Sequence, residues 1–163
     1  MMINGYDVAK LAAHLERARR NPEETERTPV ATAHWVGQSE ARVEGQGFTM
    51  HTGGDGQPSA MKALLGTLAA CDVEVIAMHA ALMGLQIERL TIEARGHFTV
   101  QRLYGMEDAP PSGYDRISYT VKLRVPGATP EQLAYLRRMV ERASPVGASL
   151  SRAVPLELEF VAE

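Results

Sequence analysis

The spacing of apolar residues changes character several times along the chain. Between Asp7 and Arg20 they recur at Val8, Leu11, Ala12 and Leu15, one face of a helix that Asp7 is placed to cap. Asn21-Pro22 ends that segment, and the charged stretch from Pro22 to Pro29 reads as a loop. Val30 to Val36, Ala41 to Glu44 and Gly47 to Thr52 are short, rich in β-formers and separated by glycine or polar turns, which predicts a small antiparallel meander. Gly53 to Ser59 is a loop. A long apolar helix follows, starting near Ser59 or Ala60 and ending at Gly84, a residue suited to the left-handed position beyond a helix end.

Beyond it, Gln86 to Arg102 alternates, with Ile87, Leu90, Ile92 and Ala94 set against Glu88, Thr91, Glu93 and Arg95, and with a bend expected at Gly96. Tyr104 to Tyr114 contains Gly, Pro-Pro and Ser-Gly and reads as a long hairpin loop. Ile117 to Val125 alternates again. Thr129-Pro130-Glu131-Gln132 is a helix start, with Thr129 as N-cap, Pro130 at N1 and Gln132 completing a capping box. Leu133, Leu136, Met139 and Val140 form its apolar stripe. Ser144-Pro145 breaks it, a short turn of helix is expected over Gly147 to Leu150, and Val154 to Val161 reads as a closing strand.

Runs of strands separated by helices predict an α+β fold, with antiparallel sheets around a long buried central helix, in one domain. That helix is apolar nearly all round, and a single chain has little material to surround it. A symmetric homodimer that shares the two long helices in one core is the expectation.

Composition narrows the function classes. A chain of 163 residues, 45% hydrophobic and 23% charged, can bury a real core. The net charge of −3 gives no basic excess to argue for nucleic acid or an acidic membrane surface. The first twenty residues lack the continuous apolar stretch of a secretion signal. One cysteine permits no internal disulfide and fits a reducing, cytoplasmic setting. Met61 to Leu85 is interrupted by Lys62, Asp72, Glu74 and His79. A charge at mid-bilayer costs roughly 2.5–3.5 kcal/mol on the lenient scales, so a helix buried in protein is the better reading than a spanning one.

Cys71 is the candidate for chemistry. It is read either as a small buried hydrophobe or as a reactive thiol, which needs a nearby cation or helix N-terminus to hold it ionised. Neither is visible locally, and Asp72 and Glu74, if turned toward the sulfur, oppose ionisation. His34, His51, His79 and His97 show no metal-ligand spacing, and His79 lies two turns beyond Cys71, about 12 Å along the axis. No metal site and no cofactor is expected. Gly53-Gly54-Asp55-Gly56 lacks the Gly-Lys-Ser/Thr ending of a phosphate loop, and Ser144 reads as a turn or cap residue. Met61, Met78 and Met83 read as core filling, or as a thioether stripe lining a pocket for a hydrophobic peroxide or other small apolar ligand.

The run from Gly53 to Cys71, with Gly53-Gly54-Asp55-Gly56-Gln57-Pro58-Ser59 leading into Leu68-Ala69-Ala70-Cys71, resembles the glycine-proline loop and cysteine helix of the OsmC/Ohr family. Ser144-Pro145-Val146-Gly147 before a final strand resembles that family's second motif, and the element order from Val30 to Val161 matches. Residues 1–28 read as an added N-terminal helix and loop. The resemblance implies an intertwined homodimer with two interface sites. It also implies reduction of organic hydroperoxides by a cysteine that becomes a sulfenic acid and then a disulfide, with an arginine and a glutamate activating the thiol.

Carried over, the first cysteine falls on Cys71. The second falls on Ser144, which cannot form a disulfide. The glutamate falls on Lys62 or Met61. The arginine falls near Gln38, with Arg42 displaced to the next strand. Lys62 is nine residues from Cys71, about 13.5 Å of helical rise, too far to pair with it along one helix. These departures favour a degenerate relative that lacks the second cysteine and the activating pair. The alternatives are a single-cysteine peroxidase served by an external thiol, and a dimer that binds a small apolar ligand.

Overall fold

The computed structural model describes residues 1–152 and Leu156. The closing strand expected from Val154 to Val161 falls, Leu156 apart, outside them. The chain opens with a hairpin of two-residue strands, β1 (Met2–Ile3) and β2 (Tyr6–Asp7). Asn4 and Gly5 form its turn with φ of 49° and 82°, the pair of left-handed residues that an Asn-Gly hairpin turn uses. Asp7 then caps α1 (Val8–Arg20), its carboxylate accepting from the N–H groups of Ala9 and Lys10. Arg17, Arg19 and Arg20 occupy the last turn, where cations suit the carbonyl end.

The expected meander is present as β3 (Ala31–Gly37), β4 (Glu40–Gly45) and β5 (Phe48–Thr52), antiparallel and in that order. Among the described residues it packs chiefly on itself. The helix α2 (Ala60–Leu82) follows, capped by the Ser59 hydroxyl. It ends in a Schellman motif: Gly84, at φ 74°, donates to the Ala81 carbonyl, and Leu85 donates to that of Ala80.

The strands β6 (Arg89–Thr99) and β7 (Gly113–Arg124) form a long antiparallel hairpin. The strand β6 continues through Gly96, where a bend was expected. Glycine is required there for another reason, since a Cβ would collide with the Tyr114 ring lying across the strand. The irregularity falls one step later, between His97 and Phe98. In α3 (Pro130–Ala143) both bonds of the capping box between Thr129 and Gln132 are made. Ser144 closes α3 and is the N-cap of α4 (Pro145–Ser151), which begins two residues earlier than expected because Pro145 takes the N1 position.

The core lies between α2, α3 and the β6–β7 hairpin. Ile76, Ala80, Leu136 and Val140 are its centre, flanked by Leu90, Ile92, Val121 and Leu123 from the strands. Within this one chain α2 is not buried all round. Leu68, Asp72, Val75, Ile76, Ala80 and Ala81 are buried on one stripe, while Leu64 and Val73 are open to solvent. The apolar circumference exceeds what one chain covers. Length and composition alone would let α2 cross a membrane. Its packing against α3 and β6 accounts for the apolar residues of its buried stripe.

Candidate thiol site

Cys71 lies midway along α2 and is half-buried. The fold brings Ser144 to it across 73 residues: the Ser144 hydroxyl donates to Cys71 Sγ at 3.6 Å. The serine is fixed by its own role at the helix junction, where its oxygen accepts the Gly147 N–H at 3.1 Å. Gly147 permits the close approach, because a Cβ there would sit 3.0 Å from Ser144 Oγ and 3.7 Å from Leu68 Cδ1. The two positions that the sequence aligned with a cysteine pair are therefore in contact, with an oxygen where the second sulfur would be.

Asp72 is the neighbour of Cys71 in the chain and is 0% exposed, closed off just beneath the surface. Neither carboxyl oxygen has a hydrogen-bond partner among the described residues. Burial raises its pKa, and the nearby Ser144 hydroxyl pulls the other way. Neither Asp72 oxygen is hydrogen-bonded to that hydroxyl, whose oxygen lies 3.6 Å from Cys71 Sγ. Tyr119 of β7 has its phenol pKa raised by burial, and further by the charges of Asp72 and Glu141. Tyr119 thus lies within reach of the charges of both Asp72 and Glu141.

The polar partner of the sulfur among the described residues is the Ser144 hydroxyl. Lys62 is exposed on the first turn of α2, and the Met61 carbonyl accepts the Tyr114 hydroxyl. Gln38 sits in the β3–β4 turn at φ 47°, its carbonyl bonded by the Trp35 indole N–H. Arg42 pairs with Glu44 at 3.2 Å on the same exposed sheet. His79 is two turns away and braces α2 to α3 through Tyr135 Oη at 3.0 Å from Nδ1, with its pKa lowered by burial. His34, His51 and His97 face Glu44, Glu40 and Asp115 in separate exposed pairs.

Two grooves flank the site. One of about 320 Å³ is bordered by Leu68, Ile117, Tyr119, Leu150 and Gly147, next to the Cys71–Ser144 contact. A larger one of about 500 Å³ lies farther along β7 and α3, lined by Ile76, Val121, Leu123, Leu133 and Leu136. Tyr119 borders both, and Cys71 itself lines neither. The smaller is the better candidate for a substrate because Gly147, on its border, lies beside Ser144. Of the methionines read as a possible pocket lining, Met83 packs on the core instead.

Sequence reasoning took Asp72 as an interruption of the apolar helix and as an acid that would oppose ionisation of the thiol, and did not place it in the core. The signal was present: Leu68, Asp72 and Ile76 fall at intervals of four, which puts the acid on the stripe that is buried.

A mixed α+β chain is thus built on one long helix whose thiol meets a serine from the α3–α4 junction. A family model described as OsmC-like protein matches residues 53–159, and the chain belongs to this family. Among solved structures, an OsmC-like protein from Mycoplasma pneumoniae aligns with a TM-score of 0.64 at 16% identity, covering 78% of this chain and 89% of that one. An organic hydroperoxide resistance protein OsmC from Legionella pneumophila aligns with a TM-score of 0.51 at 15% identity, over 76% and 89%. An OsmC-like hydroperoxide resistance protein from Jannaschia sp. CCS1 gives 0.53 at 16% identity, over 83% and 95%. At such identities the likeness establishes the fold. Among curated proteins, none matches the sequence.

Proposed function

We propose that the chain is a homodimeric, one-cysteine reductase of organic hydroperoxides, with Cys71 as the attacked thiol and an external thiol as reductant. The observation that carries this reading is the Ser144 hydroxyl directed at a half-buried Cys71 sulfur beside an open groove. Burial shifts Asp72 toward its neutral form, in which it opposes a thiolate one residue away less than a carboxylate does.

In the reaction the Cys71 thiolate attacks the terminal oxygen of the hydroperoxide, the O–O bond breaks, and an alcohol leaves as Cys71 becomes a sulfenic acid. Ser144 cannot resolve it, since oxygen forms no disulfide. A first external thiol condenses with the sulfenic acid and releases water. A second exchanges with the mixed disulfide and returns the Cys71 thiol. A reducing compartment such as the cytoplasm supplies such thiols.

The second reading is an OsmC-like dimer without turnover. It is favoured by the absence of a cationic partner on the sulfur among the described residues. The two are separated by thiol-dependent consumption of cumene hydroperoxide. Turnover that is lost in Cys71→Ser is expected, and equal rates for the two proteins would refute the peroxidase.

A further inference from the structure

We propose that the connection between β6 and β7 attaches the protein to the surface of a lipid bilayer, by inserting Leu103, Tyr104 and Met106 among the lipids at the water interface. These residues stand at the end of the two longest strands among the described residues, and they are 73%, 72% and 53% exposed. Apolar residues exposed singly are ordinary. Three within four positions form a patch, and patches of this kind mark contacts with other proteins or with membranes.

The loop holds them out by its own bonds. A 3-10 turn over Arg102–Tyr104 ends at Gly105, whose φ of 82° suits glycine. The Tyr104 N–H donates to the carbonyls of Val100 and Gln101, Gly105 to that of Arg102, Met106 to that of Gln101, and Ala109 to that of Met106. The Arg102 guanidinium donates to the Glu107 carbonyl at 3.0 Å and to the Ala109 carbonyl at 2.9 Å. The tip is therefore ordered before it touches anything, and much of its backbone is paired inside the loop. Lipid imposes that condition, because it offers no hydrogen bonds to a backbone. A protein partner does not.

Area points the same way. Even wholly covered, three such side chains withdraw on the order of 500 Å² from water, against roughly 800 Å² per partner in a stable protein interface. A lipid surface sets no such minimum, because each apolar side chain partitions for itself. Charge then selects the lipid. Glu107 and Asp108 follow the apolar residues directly and are exposed, while Arg102 is turned onto the loop carbonyls. Anionic headgroups repel such a tip, so its attachment is apolar and the surface it suits is zwitterionic. The net charge of −3 argues against an acidic surface, and this contact needs none. Apolar hydroperoxides concentrate in a bilayer, which suits the reductase reading, but the contact does not depend on turnover.

The test uses the full chain and vesicles of phosphatidylcholine. Wild type should sediment with them, and equally well at low salt and at about 0.5 M salt, where Coulombic attraction is screened. The double variant Leu103→Ser/Met106→Ser should lose roughly tenfold in partition coefficient. Its melting temperature should stay within about 2 °C of wild type, because both residues are exposed. Tyr104→Trp places a reporter in the tip. Phosphatidylcholine with brominated acyl chains should quench its emission well beyond the quenching of Trp35 in wild type. A wild type that stays in the supernatant, a double variant that binds as tightly as wild type, or a Tyr104→Trp reporter untouched by brominated lipid would each overturn the proposal. Binding that needs added phosphatidylglycerol and vanishes in salt would assign the contact to basic side chains elsewhere, and overturns it too. So does association through the tip in the absence of lipid, which would make a protein the partner. If the double variant does not fold, the quenching of Tyr104→Trp decides.

Discussion

Ser144 occupies the place of a second cysteine, and its distance from Cys71 makes that substitution informative. The sulfur and oxygen stand 3.6 Å apart, against about 2.05 Å for a disulfide, a gap that small χ1 rotations of two side chains can close. Ser144→Cys is expected to lose both free thiols on treatment with one equivalent of hydroperoxide, giving an intramolecular disulfide seen by thiol titration and mass. The wild type should instead give a sulfenic acid trapped by dimedone. The same change removes the Ser144 cap of α4, an effect of about 1 kcal/mol, so reduced Ser144→Cys should melt slightly below wild type.

Asp72 gives a pH signature of its own. Its folded pKa is raised above the unfolded value of about 3.9. The stability it contributes is therefore full below that value and is lost as pH rises through the folded pKa. His79 works in the opposite direction, its lowered pKa withdrawing stability as pH falls below about 6.5. Because His79 is common to both proteins, it cancels in a difference. The melting temperature of Asp72→Asn minus that of wild type should be more positive at pH 7.5 than at pH 4.5. A difference that stays flat with pH would mean that the carboxyl is not desolvated in the fold. At this scale the sequence shows the cysteine and its serine partner through motif resemblance. It does not show the orphaned carboxyl, because burial of an acid depends on what covers the helix face and not on its neighbours in the chain.

At the scale of elements, long periodic segments were legible and short ones were not. The helices α1, α2 and α3 and the strands β3–β6 stand close to where spacing and caps placed them, because each carries several turns or a full alternation of signal, while β7 begins at Gly113, four residues before the expected Ile117 and inside the expected loop. The hairpin of β1 and β2 offers two residues per strand and was missed, although Asn4-Gly5 is a strong turn signal. Its importance lies in one side chain. Asn4 donates to the carbonyls of Leu85 at 2.9 Å and Ala77 at 3.4 Å and accepts the Ile87 N–H at 2.8 Å, tying the N-terminal hairpin to the end of α2 and the approach to β6. Asn4→Ala strands these half-buried backbone groups and places alanine at a left-handed φ. A loss of about 1–3 kcal/mol is expected, which for a chain of this size lowers the melting temperature by several degrees. An unchanged melting curve would show that the hairpin is not anchored by this residue.

At the scale of the whole molecule, two apolar surfaces lack a cover within one chain. The three-stranded sheet exposes Val36, Phe48 and Met50, together with Trp35 at 79% exposure, and α2 leaves Leu64 and Val73 open. A small sheet that packs chiefly on itself is marginal in water unless another layer covers it, and a surface of this kind marks an interface. A second copy of the chain offers both partners at once, a sheet for the partner's helix and a helix for the partner's sheet, in the self-complementary manner of a two-fold dimer. Light scattering should accordingly give a mass near twice the 17.8 kDa of the chain. Trp35 is the sole tryptophan and reports on the same event. In the dimer its emission should be that of a sheltered indole, and on dilution it should shift to the red together with the fall in mass. Trp35→Glu should hold the chain as a monomer at concentrations where wild type is dimeric, since a buried unpaired charge is strongly destabilising to an interface. If the wild type stays monomeric with a solvent-exposed indole at every concentration, then the open face of α2 has no second copy to cover it, and the Cys71 corner must act with the residues of one chain alone.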